Sequence, residues 1–487
     1  MQRLWPLVLM TTVVAGQPAD AAPNILLILA DDMGVEALSV YGVGETTAPS
    51  TATIDSLAEA GVMFRNFWSQ PVCSPTRATI MTGRYGFRTG VGRPIAPHVD
   101  GGGSGPLPPP PAKPADAPWE PPGMGRNPGN PVSRGLPASE FMLPMALDAG
   151  SGNTYRTAAI GKWHLADPDN GWLNHPRNAG IDFYSVIMHG EDSYFAWRKN
   201  LNGEVVPTTE HSAVDQTDTA IEWIAEQGDE PWFMWLSYIL PHTPLHLPPT
   251  ELLQSDFSDL SPTQDTSEYP IRYFHAMIEA MDTEIGRVLD SMTPEVRANT
   301  YVVFIGDNGT TNSSVVAPFA RGRAKGTVYE GGVNVPLIVS GPGVAQGAVS
   351  EALVNSVDLF TTVLDMAEID VDDVVPEDVT LDSVSILSYL RDPSMASIRD
   401  WVYADVFSGS FLGVEDADYA IRNDRYKFMR RGGMFEFYDL LVDPYEHANR
   451  LDPIEPAGGI DPQERAQLNR LQDQVGALRA SEPSALN

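Results

Sequence analysis

The chain has a single cysteine, Cys73, and five lysines: Lys113, Lys162, Lys199, Lys325 and Lys427. One thiol excludes an intramolecular disulfide and a cysteine-rich zinc centre. Few lysines against 64 acidic residues, with a formal charge of −33, exclude a basic face for nucleic acid or an anionic membrane. Long apolar runs are scarce too. Beyond residue 21 none is long enough for a membrane-spanning helix, so neither nucleic acid nor membrane is an expected partner. The N-terminus does carry Arg3, the apolar run LWPLVLMTTVVAG and the triplet Ala19-Asp20-Ala21. This order reads as a signal peptide over residues 1–21 and a mature chain from about Ala22. Export without disulfides suits a bacterial periplasm or the extracellular medium.

Short apolar runs are plentiful, and four of them end abruptly in polar residues. NILLILADDMG ends in Asp31 and Asp32, YRTAAIGKWH in Lys162 and His164, WFMWLSYILPHTP in His242, and YVVFIGDNGT in Asp307 and Asn308. Continuous rather than alternating apolar runs predict strands buried on both faces, as in a parallel sheet covered by helices. Residues 271–292 repeat apolar positions at three and four, which predicts one such helix. The expected fold is α/β: a large, mostly parallel central sheet flanked by helices. Open sheets of this kind bind ligands beyond the carboxyl ends of their strands, where these polar residues gather.

Two regions stand apart. Residues 94–137 are dense in proline and glycine and predict an irregular insertion, read as a loop shaping the mouth of the site. Past about residue 395 come WVYADVF, YAIRNDRYKFMRR and MFEFYDL, then a helix with Leu468, Leu471, Val475 and Leu478 on one face. These predict a smaller antiparallel sheet with a closing helix. The expected division is a catalytic domain over 22–395 and a small subdomain over 396–487.

Asp31, Asp32, Asp307 and Asn308 are hard oxygen donors, suited to calcium or magnesium rather than zinc. An Asp-Asp pair after a strand, standing alone, is an ordinary turn or helix cap; it gains force from the same arrangement on a second strand. Lys162, His164, His242 and Lys325 would each pass singly for solvated or structural residues. Beside a metal they can bind a tetrahedral oxyanion and stabilise a leaving oxygen. His175, His189, His246 and His275 have no comparable context, and Trp163 reads as core. Cys73, in PVCSPTR, is either a small buried hydrophobe or a nucleophile, or the precursor of one.

NFWSQPVCSPTRATIMTGRYGFRTGVG resembles the signature of the formylglycine-dependent type I sulfatases, in the alkaline phosphatase superfamily. Cys73, Pro75 and Arg77 fall on its C-x-P-x-R core. GKWHLA at 161–166, PHTPLHLP at 241–248, GDNG at 306–309, KGTVYEGGVNVPLIV at 325–339 and YDLLVDPYEHANRL near the end follow in family order. The resemblance implies that a maturation enzyme oxidises Cys73 to formylglycine (3-oxoalanine), whose hydrate oxygen suits a hard metal better than a thiolate would. It implies calcium, with magnesium as the alternative, held by Asp31, Asp32, Asp307, Asn308 and modified Cys73. Lys162, His242 and Lys325 would then hold the sulfate oxygens, with His242 or Lys325 protonating the leaving oxygen. His164 would take the proton whose loss releases sulfate, and Arg77 would stand as a charge beside the hydrate.

The implied function is an exported sulfatase acting on a sulfate monoester of a carbohydrate. The alternatives are a phosphate or phosphonate ester hydrolase of the same superfamily, and an inactive protein that binds sulfated glycans. The sequence departs from the family pattern in DDMGVEALSVYG and at Asn334, which replaces a frequent arginine. Neither departure touches an implied catalytic position; both can alter the cleft.

Overall fold

The run Asn24–Ala30 forms a strand, β1, with all seven residues buried. Successive side chains point to opposite faces of a sheet. Ile25, Leu27 and Leu29 accordingly join one hydrophobic cluster, and Leu26, Ile28 and Ala30 another. The structure is a computed structural model that describes residues 22–44, 48–95, 135–152, 154–190, 193–408, 411–452 and 460–481. Residues 1–21 and most of the 94–137 insertion lie outside the described residues.

Nine further strands extend β1 into one sheet. They are β2 (Gly61–Trp68), β3 (Arg156–Lys162), β4 (Phe183–Ile187), β5 (Trp197–Leu201), β6 (Glu204–Thr208), β7 (Trp232–Tyr238), β8 (Thr300–Gly306), β9 (Leu337–Ser340) and β10 (Ala348–Asn355). Their order is β10-β2-β9-β8-β1-β7-β3-β4-β5-β6. The central strands β8, β1, β7, β3 and β4 run parallel; β9 and the β5–β6 hairpin run against their neighbours. The four apolar runs singled out in the sequence are β1, β3, β7 and β8, and the helix expected at 271–292 is Pro270–Ser291. The expected α/β class is the observed one.

The second sheet is the antiparallel meander β11 (Val402–Val406), β12 (Asp418–Arg422), β13 (Tyr426–Arg431) and β14 (Met434–Asp439). One face packs under the closing helix Pro462–Ala480, where Leu468, Leu471, Val475 and Leu478 are buried as the periodicity required. Asp461 and Glu464 close that helix's first turn as a capping box. The other face, through Val402, Ala404, Ala420, Met429 and Tyr438, packs on Trp68, Val328, Tyr329 and Val333 of the main body.

Strand register decides which residues meet at the sheet edge. Ala30 lies beside Gly306 of β8 and Tyr238 of β7, so these strands deliver their next residues to the same edge. Gly161 pairs with Ser237 and has φ +89; a Cβ there would lie 1.9 Å from the Ser237 carbonyl oxygen. Only glycine lets β3 lie this close to β7 and carry Lys162 to the shared edge. Gly161→Ala is expected to lower the unfolding free energy by at least about 1–3 kcal/mol, the usual penalty of overpacking. Urea denaturation followed by tryptophan fluorescence would measure it.

Candidate active site

Asp31 and Asp32 follow β1, and Asp307 and Asn308 follow β8. The Asp307 N–H donates to the Ala30 carbonyl (2.9 Å), the Asp32 N–H to Asp307 Oδ1 (3.1 Å), and Asn308 Nδ2 to Asp32 Oδ1 (2.8 Å). Asp32 adopts φ +73, a left-handed conformation that a non-glycine residue holds only where its surroundings impose it. Asp31 Oδ1, Asp32 Oδ2 and Asn308 Oδ1 are buried without a hydrogen-bond partner in the protein. Ligand atoms of Asp31, Cys73 and Asp307 lie within 4.8 Å of one another, as do those of Asp31, Asp32 and His242. Buried carboxylate and amide oxygens that receive no hydrogen bond are costly unless a cation faces them. Three unsatisfied hard oxygens in one cluster therefore fit a divalent cation of the calcium or magnesium type.

Cys73 is the first residue of helix Cys73–Thr82 and is buried. Burial raises its thiol pKa, so it is a poor thiolate in this setting. Arg77, one helical turn further, is fully buried under the cluster. Its Nη1 donates to the Lys162 carbonyl (2.6 Å) and Ser237 Oγ (2.6 Å), and its Nη2 to Asp307 Oδ2 (2.8 Å). Thr76 Oγ1 donates to the Asp307 carbonyl (2.5 Å). Helix and strand ends are thus bonded directly together.

His164 Nδ1 lies 3.3 Å from Cys73 Sγ, and its Nε2 lies 2.8 Å from the Ile95 carbonyl oxygen. A carbonyl only accepts, so Nε2 carries the proton and Nδ1 presents a lone pair to residue 73. Burial, with Lys162 and His189 nearby, pushes the His164 pKa well below its ordinary value and keeps the ring neutral. That is the state a proton acceptor requires. Like Asp32, His164 is in the left-handed region, at φ +56.

Three further groups complete the cluster. Lys162 Nζ donates to Asp31 Oδ2, Lys325 Nζ lies 2.5 Å from Asp32 Oδ1, and His242 Nε2 lies 3.8 Å from Asp32 Oδ2. Lys162 is buried, whereas Lys325 and His242 keep about a fifth of their side chains exposed. Burial alone would raise the Asp31 carboxyl, but Lys162, His242, Arg77 and Lys325 together hold it well below the usual carboxylate range. Burial and the Asp31 charge push the neighbouring Asp307 up to about 7.

All ten residues proposed from the sequence as catalytic or metal-binding therefore meet at one edge of the sheet. The histidines left without a role divide. His189 packs its ring 5.7 Å from that of His164, edge to face. His246 faces His211, with their Nε2 atoms 2.9 Å apart, and His275 lies on the long helix. His175 accepts from Trp163 Nε1 (3.0 Å) and reaches the Leu136 carbonyl through Nε2 (2.9 Å), which explains the fully buried Trp163. Sequence reasoning passed over Thr76 and Ser237. Thr76 sits inside the C-x-P-x-R motif, and Ser237 is a lone hydroxyl in the otherwise apolar run WFMWLSY, which was a legible signal.

The sulfatase family model matches residues 23–369, and a model for the C-terminal part of N-sulphoglucosamine sulphohydrolase matches residues 323–474. Human N-acetylgalactosamine-6-sulfatase is 29% identical over 443 residues, covering 85% of this chain and 74% of that protein. The uncharacterised sulfatase YdeN of Escherichia coli (strain K12) is 26% identical over 421 residues, covering 76% of this chain and 66% of that protein. Among solved structures, Ps i-CgsB superposes with a TM-score of 0.73 at 22% identity, covering 95% of this chain and 94% of that one. The same protein has been solved with k-i-k-neocarrahexaose.

His175, buried beside Trp163, makes stability depend on pH. Burial lowers its pKa to about 4, so the unfolded chain binds its proton below about pH 6.5 while the folded chain does not. Stability contributed by neutral His175 is therefore full above pH 6.5 and falls between 6.5 and 4, by about 1.4 kcal/mol per pH unit at most. His175→Gln is expected to flatten that part of the stability–pH curve, measured by urea unfolding at stepped pH.

Proposed function

The chain belongs to the sulfatase family, and from that premise we propose that it hydrolyses a sulfate monoester on a carbohydrate, using formylglycine made from Cys73 and a bound calcium ion. The observation that carries this reading is the contact of Cys73 Sγ with His164 Nδ1, whose other nitrogen is held by the Ile95 carbonyl, inside a cluster of hard oxygens and cations. Asp31, Asp32, Asp307 and Asn308 would hold the cation. A hydrated aldehyde at residue 73 supplies an oxygen nucleophile and a second hydroxyl, and the cation supplies charge that acidifies the attacking oxygen.

His164 Nδ1 accepts the proton from the side chain of residue 73, and Arg77 keeps that side chain's helix against the strand ends. Lys162, Lys325 and His242 hold the sulfate oxygens. The carboxylates of Asp31, Asp32 and Asp307 balance the charges of Arg77, Lys162 and Lys325. A divalent cation then leaves the pocket positive, which suits an anionic ester. His242 Nδ1 lies 2.5 Å from the Thr243 carbonyl oxygen, so Nδ1 holds the proton of the neutral ring, and Nε2, the nitrogen that faces the cluster, carries one only when the ring is charged. Burial lowers the His242 pKa, so the charged ring would be a ready donor to the leaving oxygen, with Lys325 as the neighbouring donor. Cys73 is only 2% exposed, so the maturation enzyme must reach it before the fold closes.

A carbohydrate is supported by the sugar sulfate in the human relative's name and by the oligosaccharide bound to Ps i-CgsB. The signal-like residues 1–21 support export, and no helix among the described residues is long and apolar enough to cross a membrane.

Three measurements test the reading. Mass analysis of the Cys73 peptide from the natural host is expected to show the aldehyde or its hydrate; an unmodified thiol throughout would return the protein to the sulfated-glycan binder. Matched sulfate and phosphate monoesters should then show faster sulfate turnover, and the reverse order would make it a phosphate ester hydrolase. Lys325→Ala is expected to lower kcat about 10²–10³-fold, the typical loss of one oxyanion donor, with an unchanged circular dichroism spectrum. Near-normal turnover would remove Lys325 from the reaction.

A further inference from the structure

Lys427 is fully buried, which is unusual for a lysine unless it is paired. It sits on β13 of the small sheet, with Nζ 3.1 Å from Glu330 Oε1 and 2.7 Å from Glu446 Oε1, and 4.5 Å from the centre of the Trp68 ring. Glu330 also receives Trp68 Nε1 (3.3 Å), Asn334 Nδ2 (3.2 Å) and, at 3.5 Å, Arg422 of β12. Its backbone N–H donates to Glu446 Oε2 (2.6 Å). Either end of the segment around it is tied to the small subdomain as well. Arg323 donates to the Glu446 carbonyl, and the Tyr329 hydroxyl donates to Glu436 on β14 (2.8 Å).

The same segment carries Lys325, five residues before Glu330. Trp68 ends β2, five residues before Cys73. Between these anchors the two stretches are bonded directly: Gly326 N–H donates to the Pro71 carbonyl (2.8 Å) and Ser69 N–H to the Val333 carbonyl (2.8 Å). Lys325 N–H donates to the Thr310 carbonyl (3.0 Å), beside the Asp307-Asn308 turn. Lys427 therefore holds, through one carboxylate, the stretch that bears a proposed sulfate ligand and the stretch that bears the proposed nucleophile. A buried ion pair adds little stability over well-packed apolar residues, so its value lies in fixing one arrangement. Charged donors must be held to about 0.5 Å to act on a developing charge.

We propose that Lys427, acting through Glu330, is a positioning residue for hydrolysis: it sets the Arg323–Asn334 strap against the Trp68–Cys73 turn so that Lys325 faces residue 73. The small sheet is thereby required for turnover and not only for folding. This rests on the sulfatase reading above.

The test uses the full, matured chain with Lys427→Met, Lys427→Arg and each combined with Lys325→Ala. On an aryl sulfate, Lys427→Met is expected to lower kcat about 10–100-fold, as misplacement of about 1 Å does, while KM moves less. Lys427→Arg should recover most of that loss. In the Lys325→Ala background Lys427→Met should add less than about 3-fold, since residues acting through one group are non-additive. Hydrogen exchange should quicken in peptides covering 323–334, with those covering β1, β7 and β8 unchanged. A full independent loss in the double variant, or unaltered exchange over 323–334, would overturn the proposal. If Lys427→Met does not fold, Lys427→Met/Glu446→Gln, which leaves Arg422 to balance Glu330, takes the same measurements. Absence of wild-type turnover on the aryl sulfate and on carbohydrate sulfate monoesters alike would count against the sulfatase reading, whereas the exchange result judges the positioning role by itself.

Discussion

One guanidinium ties together the strand ends on which the site is built. Arg77 is wholly buried, donates to the last residue of β3, to Ser237 in β7 and to Asp307 after β8, and lies 3.7 Å from Asp31 after β1. It belongs to the helix that begins at Cys73, so the residue proposed as nucleophile is placed one turn from the same anchor. The buried arginine is tolerated because both of its terminal nitrogens find acceptors, two of them on Nη1 and a carboxylate on Nη2. Loss of one partner from such an arrangement typically costs about 3–5 kcal/mol, since the remaining charge is stranded away from water.

Around that anchor the neighbouring charges oppose burial at Asp31 and reinforce it at Asp307 and His164. Asp31 stays ionised because four basic groups surround it, although burial pulls the other way. Asp307 is pushed up to about 7 by burial and by the neighbouring Asp31 carboxylate. His164 goes in the opposite direction and remains neutral under the influence of burial and Lys162. These divergent settings within one cluster separate the groups that hold charge from a neutral imidazole, the pattern that perturbed groups at acid–base sites share. They also give the scarce lysines a reason: two of the five, Lys162 and Lys325, stand in the cluster, and a third, Lys427, is buried behind it.

The small sheet is joined to this site by more than contact area. Its inner face covers Val328, Tyr329 and Val333, and its buried charges meet Glu330 on the same short stretch. The closing helix and the outer face build a separate hydrophobic cluster. One side of the sheet therefore packs under the closing helix together with Tyr85, Phe87 and Val357 of the main body, and the other side packs on Trp68 and the stretch that follows Lys325.

Much of this was legible in the sequence. Apolar runs too continuous for a half-exposed strand marked β1, β3, β7 and β8, and the polar residues ending each run marked the site. The Asn202-Gly203 turn of the β5–β6 hairpin, with both residues at positive φ, carried a readable signal of its own. The strand Leu337–Ser340 was too short to identify by pattern. Local periodicity and motif order alone determined the fold class, the family resemblance and which polar residues end the strands, because these depend on residue type and near neighbours. The tertiary structure alone decided that β1 lies between β7 and β8, which nitrogen of His164 faces residue 73, and that Lys427 grips the Lys325 strap. Each of these is a contact between residues tens to hundreds of positions apart, and such contacts are set by packing and hydrogen-bond geometry that no local pattern encodes.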